Sequence, residues 1–255
     1  MLLAIKNLTR RSIRTGLSVL GVAVGVGSIV AFTAMGEGFK ESIDRYGRDS
    51  GADLVASGEL WGHLAASAGR IAGGFALGFS TGLVAGLLIG IFTVSRSIGL
   101  PVVAALFPIP KIALLPLFIL WFGIGEWSKI LTIAFGVFFP SAVATYGAVD
   151  AVPRNLVRMG QSFGLSPAAI TSKILLPGAL PGILSGARIA TSIALILVVA
   201  AEMIGAERGI GALILTSGHL MMTDRLLAGV VILSSIGLLV AWALGGLERR
   251  LLQWR

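Results

Sequence analysis

The chain has 255 residues, 56% of them hydrophobic and only 13% charged, far from the soluble norm of nearly half apolar and about a quarter charged. It carries a formal net charge of +8 and no cysteine, so a disulfide framework and a thiolate metal site are both excluded. The class that remains is an all-α polytopic membrane protein. Its 35 glycines lie scattered through apolar sequence, which points to close helix packing in lipid and not to flexible linkers.

The N-terminus has a basic lead, Lys6, Arg10, Arg11 and Arg14, followed by an apolar run over 16–35. That run is long for the apolar region of a cleaved signal peptide and is predicted to be a retained first span. On the rule of roughly 20 apolar residues per span, six transmembrane helices are predicted near 16–35, 72–93, 99–122, 129–148, 182–204 and 226–245. If the N-terminus is inside, the inner segments hold Arg96, Arg154, Arg158, Lys173, Arg188, Arg249, Arg250 and Arg255 in addition to that basic lead. Their only acids are Asp150 and Glu248, whereas acids balance the bases of the outer segments, so both termini are predicted to be cytoplasmic. The excess of Lys and Arg therefore reads as an orientation signal. No basic stripe interleaved with aromatics points to nucleic acid.

The second span carries Gly74, Gly78, Gly82, Gly86 and Gly90, a bare helix face that suits close packing and would also suit sliding. The third contains Pro101, Pro108, Pro110 and Pro116, so its backbone ladder is predicted to break. Freed carbonyls in a bilayer must face protein or a water-filled cavity, the usual setting of a translocation path. Pro108, Lys111 and Pro116 are candidates to line such a path. Glu202, near the outer end of the fifth span, is a fourth candidate, able to close a gate or pair with a cation. For Lys111 and Glu202 the alternative is snorkelling or a packing salt bridge.

Between the fourth and fifth spans lies VPRNLVRMGQSFGLSPAAITSKILLPGALP, predicted to be cytoplasmic. Leu156, Met159 and Phe163 recur at helical spacing opposite Arg154, Arg158 and Gln161. Gly164 fits a helix stop. Ser166 and Pro167 fit a cap and first position of a second helix through Ile170 and Ile174, which Pro177 is expected to break. Two short helices joined at a glycine cannot bury their apolar stripe alone, so they lie on the membrane or in a groove of another protein.

Within that segment, Gly164, Ile174, Leu176 and Pro177 form G-x9-I-x-L-P. This resembles the cytoplasmic loop of permease subunits of binding-protein-dependent ABC importers. Arg158, Met159 and Gly160 stand where that family usually has Glu-Ala-Ala. From about Leu60 onward, LWGHLAASAGRIAGGFALGFSTG, IPKIALLPLFILWFGIGEWSKI, LPGALPGILSGARIA and AEMIGAERGIGALI are similar to the nitrate, sulfonate, taurine and bicarbonate branch of those permeases. The resemblance implies an inner-membrane permease domain over 60–255, homodimeric, with a coupling loop over 150–181 that docks in an ATPase subunit. The ATPase contacts would then be Arg158, Met159, Gly160, Ser162, Phe163, Gly164, Leu165, Ile174, Leu176 and Pro177. It also implies a periplasmic or extracytoplasmic solute-binding protein and a small anionic solute. ATP and Mg would belong to the ATPase.

Residues 1–59 differ. LLAIKNLTRRSIRTGLSVLGVAVGVGSIVAFTAMGEGFKESI resembles the N-terminus of lipoprotein-release and macrolide-exporter permeases, which implies a fused first span or a mechanotransmitting permease, unless the likeness is that of a generic basic-then-glycine-rich membrane helix. An ion-coupled secondary transporter is the other alternative. No G-x-x-x-x-G-K-[ST] phosphate loop, zinc-ligand cluster or nucleophile elbow occurs in the sequence, and His63 and His219 are far apart. No catalytic residue, metal site or cofactor of its own is therefore expected.

Overall fold

The computed structural model describes residues 58–253, in which every regular element is helical. The predicted span 16–35 lies outside the described residues. Helix α1 runs Glu59–Ile91, α2 Thr93–Leu106 and α3 Leu115–Phe122, the last preceded by a 3-10 turn, Lys111–Leu114. Helix α4 runs Glu126–Asp150, α5 Arg154–Ser162 and α6 Pro167–Ile170, and a wide π turn, Thr171–Leu175, follows. Helices α7 Leu176–Gly205, α8 Ile210–His219 and α9 Thr223–Leu251 complete the order.

Packing contacts fix the direction of each long helix. Along the α1–α4 seam Gly74 faces Ile133, Gly82 faces Phe138 and Gly90 faces Val149, so the two helices run parallel. Gly186 faces Ala144 and Gly182 faces Ala148, so α7 runs antiparallel to α4. Helix α9 opposes α7 in turn, with Gly237 on Leu195 and Arg188 bonded to Glu248. Because α1 and α4 point the same way, the chain between them must cross back. The α2–α3 pair, bent by 87°, makes that crossing. Among the described residues four helices are long and apolar enough to cross a membrane, or up to five spans if this bent pair is taken as one.

The seam explains the glycines. A Cβ on Gly78 would stand 2.3 Å from the Ala134 carbonyl oxygen, one on Gly82 2.5 Å from that of Phe138, and one on Gly86 2.5 Å from that of Ala142. Any side chain there would drive the two backbones apart. In lipid, where apolar burial gives no driving force between helices, this close van der Waals contact holds the pair together. On its other side α4 meets α7 through a buried cluster of Ile133, Val137, Ala190, Ala194, Leu197 and Val198. Helices α1, α4 and α7 thus form a rigid core. The exposed surfaces are apolar, with Val84, Ile196, Leu238, Leu239 and Trp242 outward, as lipid-facing surfaces are.

The elements depart from the sequence expectation at several points. Helix α1 starts at Glu59 and not near 72, and it takes in Arg70, which the charge pattern assigns to an outer segment. Helix α7 begins at Leu176, ahead of the 182 expected. The segment between the predicted spans 182–204 and 226–245 contains α8. This helix joins Leu60 and Ala228 in a second apolar cluster through its Ile210 and Leu213.

Candidate functional site: a hairpin, a bent span and a buried ion-pair cluster

At one end of the bundle α5 and α6 form a hairpin. Helix α5 ends in a Schellman turn: Gly164 N–H donates to the Gln161 carbonyl at 2.9 Å and Leu165 N–H to the Gly160 carbonyl at 3.0 Å. Gly164 has φ +72°, a left-handed conformation that a side chain other than Asn tolerates poorly. Ser166 then caps α6, its Oγ accepting from Ala169 N–H at 3.3 Å, with Pro167 in the first turn. Inside the hairpin Gly160 is buried against Ile174, whose Cδ1 would lie 2.8 Å from a Cβ there. Arg158, Met159, Ser162, Phe163 and Gly164 are exposed, and Leu165 and Ile174 are half-buried.

The apolar stripe is open, as expected. Leu156 and Met159 are exposed and Phe163 is 78% exposed, although all three are large and apolar. The hairpin's root is buried instead, with Val152 joining Val149, Ala179 and Ile183 between α4 and α7, and Ile174 and Leu175 packed beside them. Pro177 does not break the second helix as expected. The π turn shifts the bonding so that Leu176 N–H reaches back to the Thr171 carbonyl. Pro177 then falls in the first turn of α7, where a missing donor has no cost. Leu176 and Pro177 therefore belong to the base of α7 and not to the tip of the hairpin.

The bent span breaks where its prolines fall. In a continuous helix Leu106 would bond to the N–H of residue 110, and Pro110 has none. Lys111 supplies donors in its place: its Nζ bonds to the carbonyls of Leu106 at 3.2 Å and Ile109 at 2.7 Å, and to that of Phe107. The ammonium also lies 5.3 Å from the Phe107 ring centre and 4.7 Å from that of Phe139, a cation–π setting. Pro108 is exposed beside it, and Pro116 is exposed in the first turn of α3.

The opposite end of the bundle holds a cluster that the sequence reading did not assemble. Arg70 on α1 grips Glu126, the first residue of α4, through Nε and Nη2, both at 2.6 Å. Its Nη1 donates to Glu202 Oε1 on α7 at 2.8 Å and to the Arg208 carbonyl at 2.6 Å. Glu202 also accepts from Ser67 Oγ at 2.8 Å and from Gly211 N–H at 2.9 Å. Its side chain is wholly buried, and that of Arg70 is 3% exposed. The Glu202 carboxylate sits at the N-terminal turn of α8, where free amides and the helix dipole favour a negative charge. At Gly209, with φ +141°, a Cβ would stand 2.3 Å from the Glu202 carboxyl carbon. Lys111 and Glu202 are not brought together: Phe139, on which Lys111 lies, and Glu126 are separated by roughly 20 Å of α4 at 1.5 Å per residue.

Residues 78–253 match the family model described as "Binding-protein-dependent transport system inner membrane component". The chain belongs to this family. It is 40% identical over 195 residues to the taurine transport system permease protein TauC of Escherichia coli, covering 76% of this chain and 71% of that one. It is 39% identical over 203 residues to the Bacillus subtilis protein named as an aliphatic sulfonates transport permease, SsuC, covering 80% and 74%. A Brucella abortus protein named as an ABC transporter permease is 33% identical over 244 residues, covering 94% and 96%. Among solved structures, an inward-facing MetNI methionine ABC transporter chain matches with a TM-score of 0.60 at 24% identity, covering 78% of this chain and 96% of that one.

The chain is thus an ABC importer permease, a multi-pass inner-membrane component. For such a permease the hairpin, the bent span and the ion-pair cluster lie at one end, the middle and the other end of the same bundle. Glu202 was the only member of the cluster visible in the sequence, as an acid at depth in an apolar run. Arg70 has no such signal, because it precedes the most apolar part of its helix.

Proposed function

We propose that this permease forms the path for a small organic sulfonate, of which taurine is the model, in an importer with a separate ATPase and a solute-binding protein. The observation that carries the reading is the 40% identity over 195 residues with a taurine permease, supported by the 39% identity with the sulfonate permease. In this reading the chain has six spans, 16–35 being the first, with both termini cytoplasmic, and two copies enclose the path. Pro108, Lys111 and Pro116 line it, and Glu202, through Arg70, closes its outer end. ATP and Mg are bound by the ATPase.

The hairpin is the ATPase contact. A rigid two-helix unit that presents Leu156, Met159 and Phe163 to water, on a root buried in the bundle, has the form of an apolar anchor for a groove. The test is co-purification and uptake in proteoliposomes with the ATPase and binding protein supplied. Phe163→Asp is expected to weaken ATPase retention by about 2 kcal/mol, roughly thirtyfold, as for an interface hot spot, without unfolding the permease. ATP-driven uptake of taurine or methanesulfonate is expected. Uptake of nitrate or bicarbonate with no uptake of sulfonates overturns the substrate class, and full ATPase retention by Phe163→Asp overturns the docking face.

A further inference from the structure

The bent span has to follow the ATPase if the permease is to open and close its path, yet the chain joins it to the hairpin only through the whole length of α4. Its first arm, α2, is set off from α1 by Phe92, whose extended backbone (φ −103°, ψ 126°) breaks the helix. Its second arm, α3, is set off from α4 by Gly123 (φ +79°) and by Gly125, which is extended. Between the arms lie the non-helical residues around Pro108 and Pro110. The pair is therefore a jointed element beside a rigid α1–α4–α7 core.

One polar connection joins this element to the root of the hairpin among the described residues. Arg96, in the first turn of α2, donates through Nη2 to Tyr146 Oη at 2.8 Å and to Asp150 Oδ1, and its guanidinium lies 5.0 Å from the centre of the Tyr146 ring. Asp150 is the last residue of α4, with Ala151, Val152 and Pro153 leading directly into α5. The other α2 contacts with α4 are apolar: Val103 and Leu100 pack near Phe139, Phe138 and Tyr146. Such contacts favour adhesion but do not fix direction or register. A guanidinium nitrogen that donates to both the Tyr146 hydroxyl and the Asp150 carboxylate, with the Tyr146 ring beside it, does fix them.

We infer that Arg96 is a positioning residue for transport, the link through which displacement of the hairpin is passed, by way of Asp150 and Tyr146, to the bent span. The inference rests on the reading of the hairpin as the ATPase contact. An ion pair this exposed adds little to stability, so its removal leaves the bundle folded and exposes the role in coupling.

The experiment uses the full complex of permease, ATPase and binding protein in proteoliposomes, and reads taurine taken up per ATP hydrolysed together with ATPase retention on the permease. Arg96→Met is expected to retain the ATPase and its turnover while the ratio of taurine to ATP falls about fivefold or more, the scale of a coupling between sites. Arg96→Lys, which keeps a charge for Asp150, is expected to recover the ratio in part, and Asp150→Asn to reproduce the loss. A wild-type ratio with Arg96→Met overturns the inference. Loss of assembly with both Arg96→Met and Asp150→Asn also overturns it, by giving the pair a purely structural role. Failure of the underlying docking reading is distinguishable, because it shows as ATPase retention that Phe163→Asp does not alter.

Discussion

Replacing Arg70 by Met removes the only cation bonded to Glu202 among the described residues and leaves a wholly buried carboxylate with Ser67 Oγ and Gly211 N–H as its partners. Stranding a buried charge in this way destabilises by about 3–5 kcal/mol, so the purified Arg70→Met protein is expected to melt well below wild type. The double variant Arg70→Met, Glu202→Gln removes the stranded charge and is expected to regain much of the loss. A melting temperature unchanged in Arg70→Met would refute the account. Residues whose roles are set by near neighbours were legible in the sequence: Gly164, Ser166 and Pro167 act through bonds within five positions of each other. Arg70 was not, because its decisive partner lies 132 residues away. Glu202 was visible as an anomaly, but its partner could not be named.

At the scale of the element, proline shows how far a local rule reaches. It correctly marks a break in the third span, since Pro110 withholds a donor and Lys111 fills the vacancy with three bonds to carbonyls. The same rule fails at Pro177, because the π turn places that proline where no donor is required. Helix α8 escaped notice for another reason: it is short, and its apolar face is explained only by Leu60 and Ala228 from distant segments. The bent span carries its own test. Lys111→Met leaves the carbonyls of Leu106, Phe107 and Ile109 without the ammonium, where lipid offers no other donor, and is expected to lower the thermal stability of the permease on its own as well as transport. Lys111→Arg is expected to preserve both. If Lys111→Met loses transport but melts as wild type does, the lysine serves a solute in the path and not the bend. If it loses neither, Lys111 has no role in either.

For the whole molecule the seams between helices decide the topology more firmly than charge does. Parallel α1 and α4, antiparallel α7 and the return of α9 place the hairpin and the C-terminal end of α9 on one side, and Glu126, Glu202 and the α8–α9 turn on the other. The proposed topology puts the hairpin side in the cytoplasm, and the charges support it. Arg96, Arg154, Arg158, Lys173, Arg188, Arg249 and Arg250 gather at the hairpin side against Asp150 and Glu248, the pattern of an inner face. The match of 244 residues with the Brucella abortus protein is longer than segment 60–255 and so extends into residues 1–59, which favours counting the first span as part of the permease. The absence of cysteine makes single-cysteine labelling clean. Ser166 is exposed on the hairpin and Met221, 87% exposed, marks the α8–α9 turn, whereas Ser217 nearby is buried and unsuited to a probe. In intact cells a membrane-impermeant maleimide is expected to label Met221→Cys and not Ser166→Cys, and to reach the latter after permeabilisation. Labelling of Ser166→Cys alone in intact cells would invert the topology and remove the hairpin from any cytoplasmic ATPase.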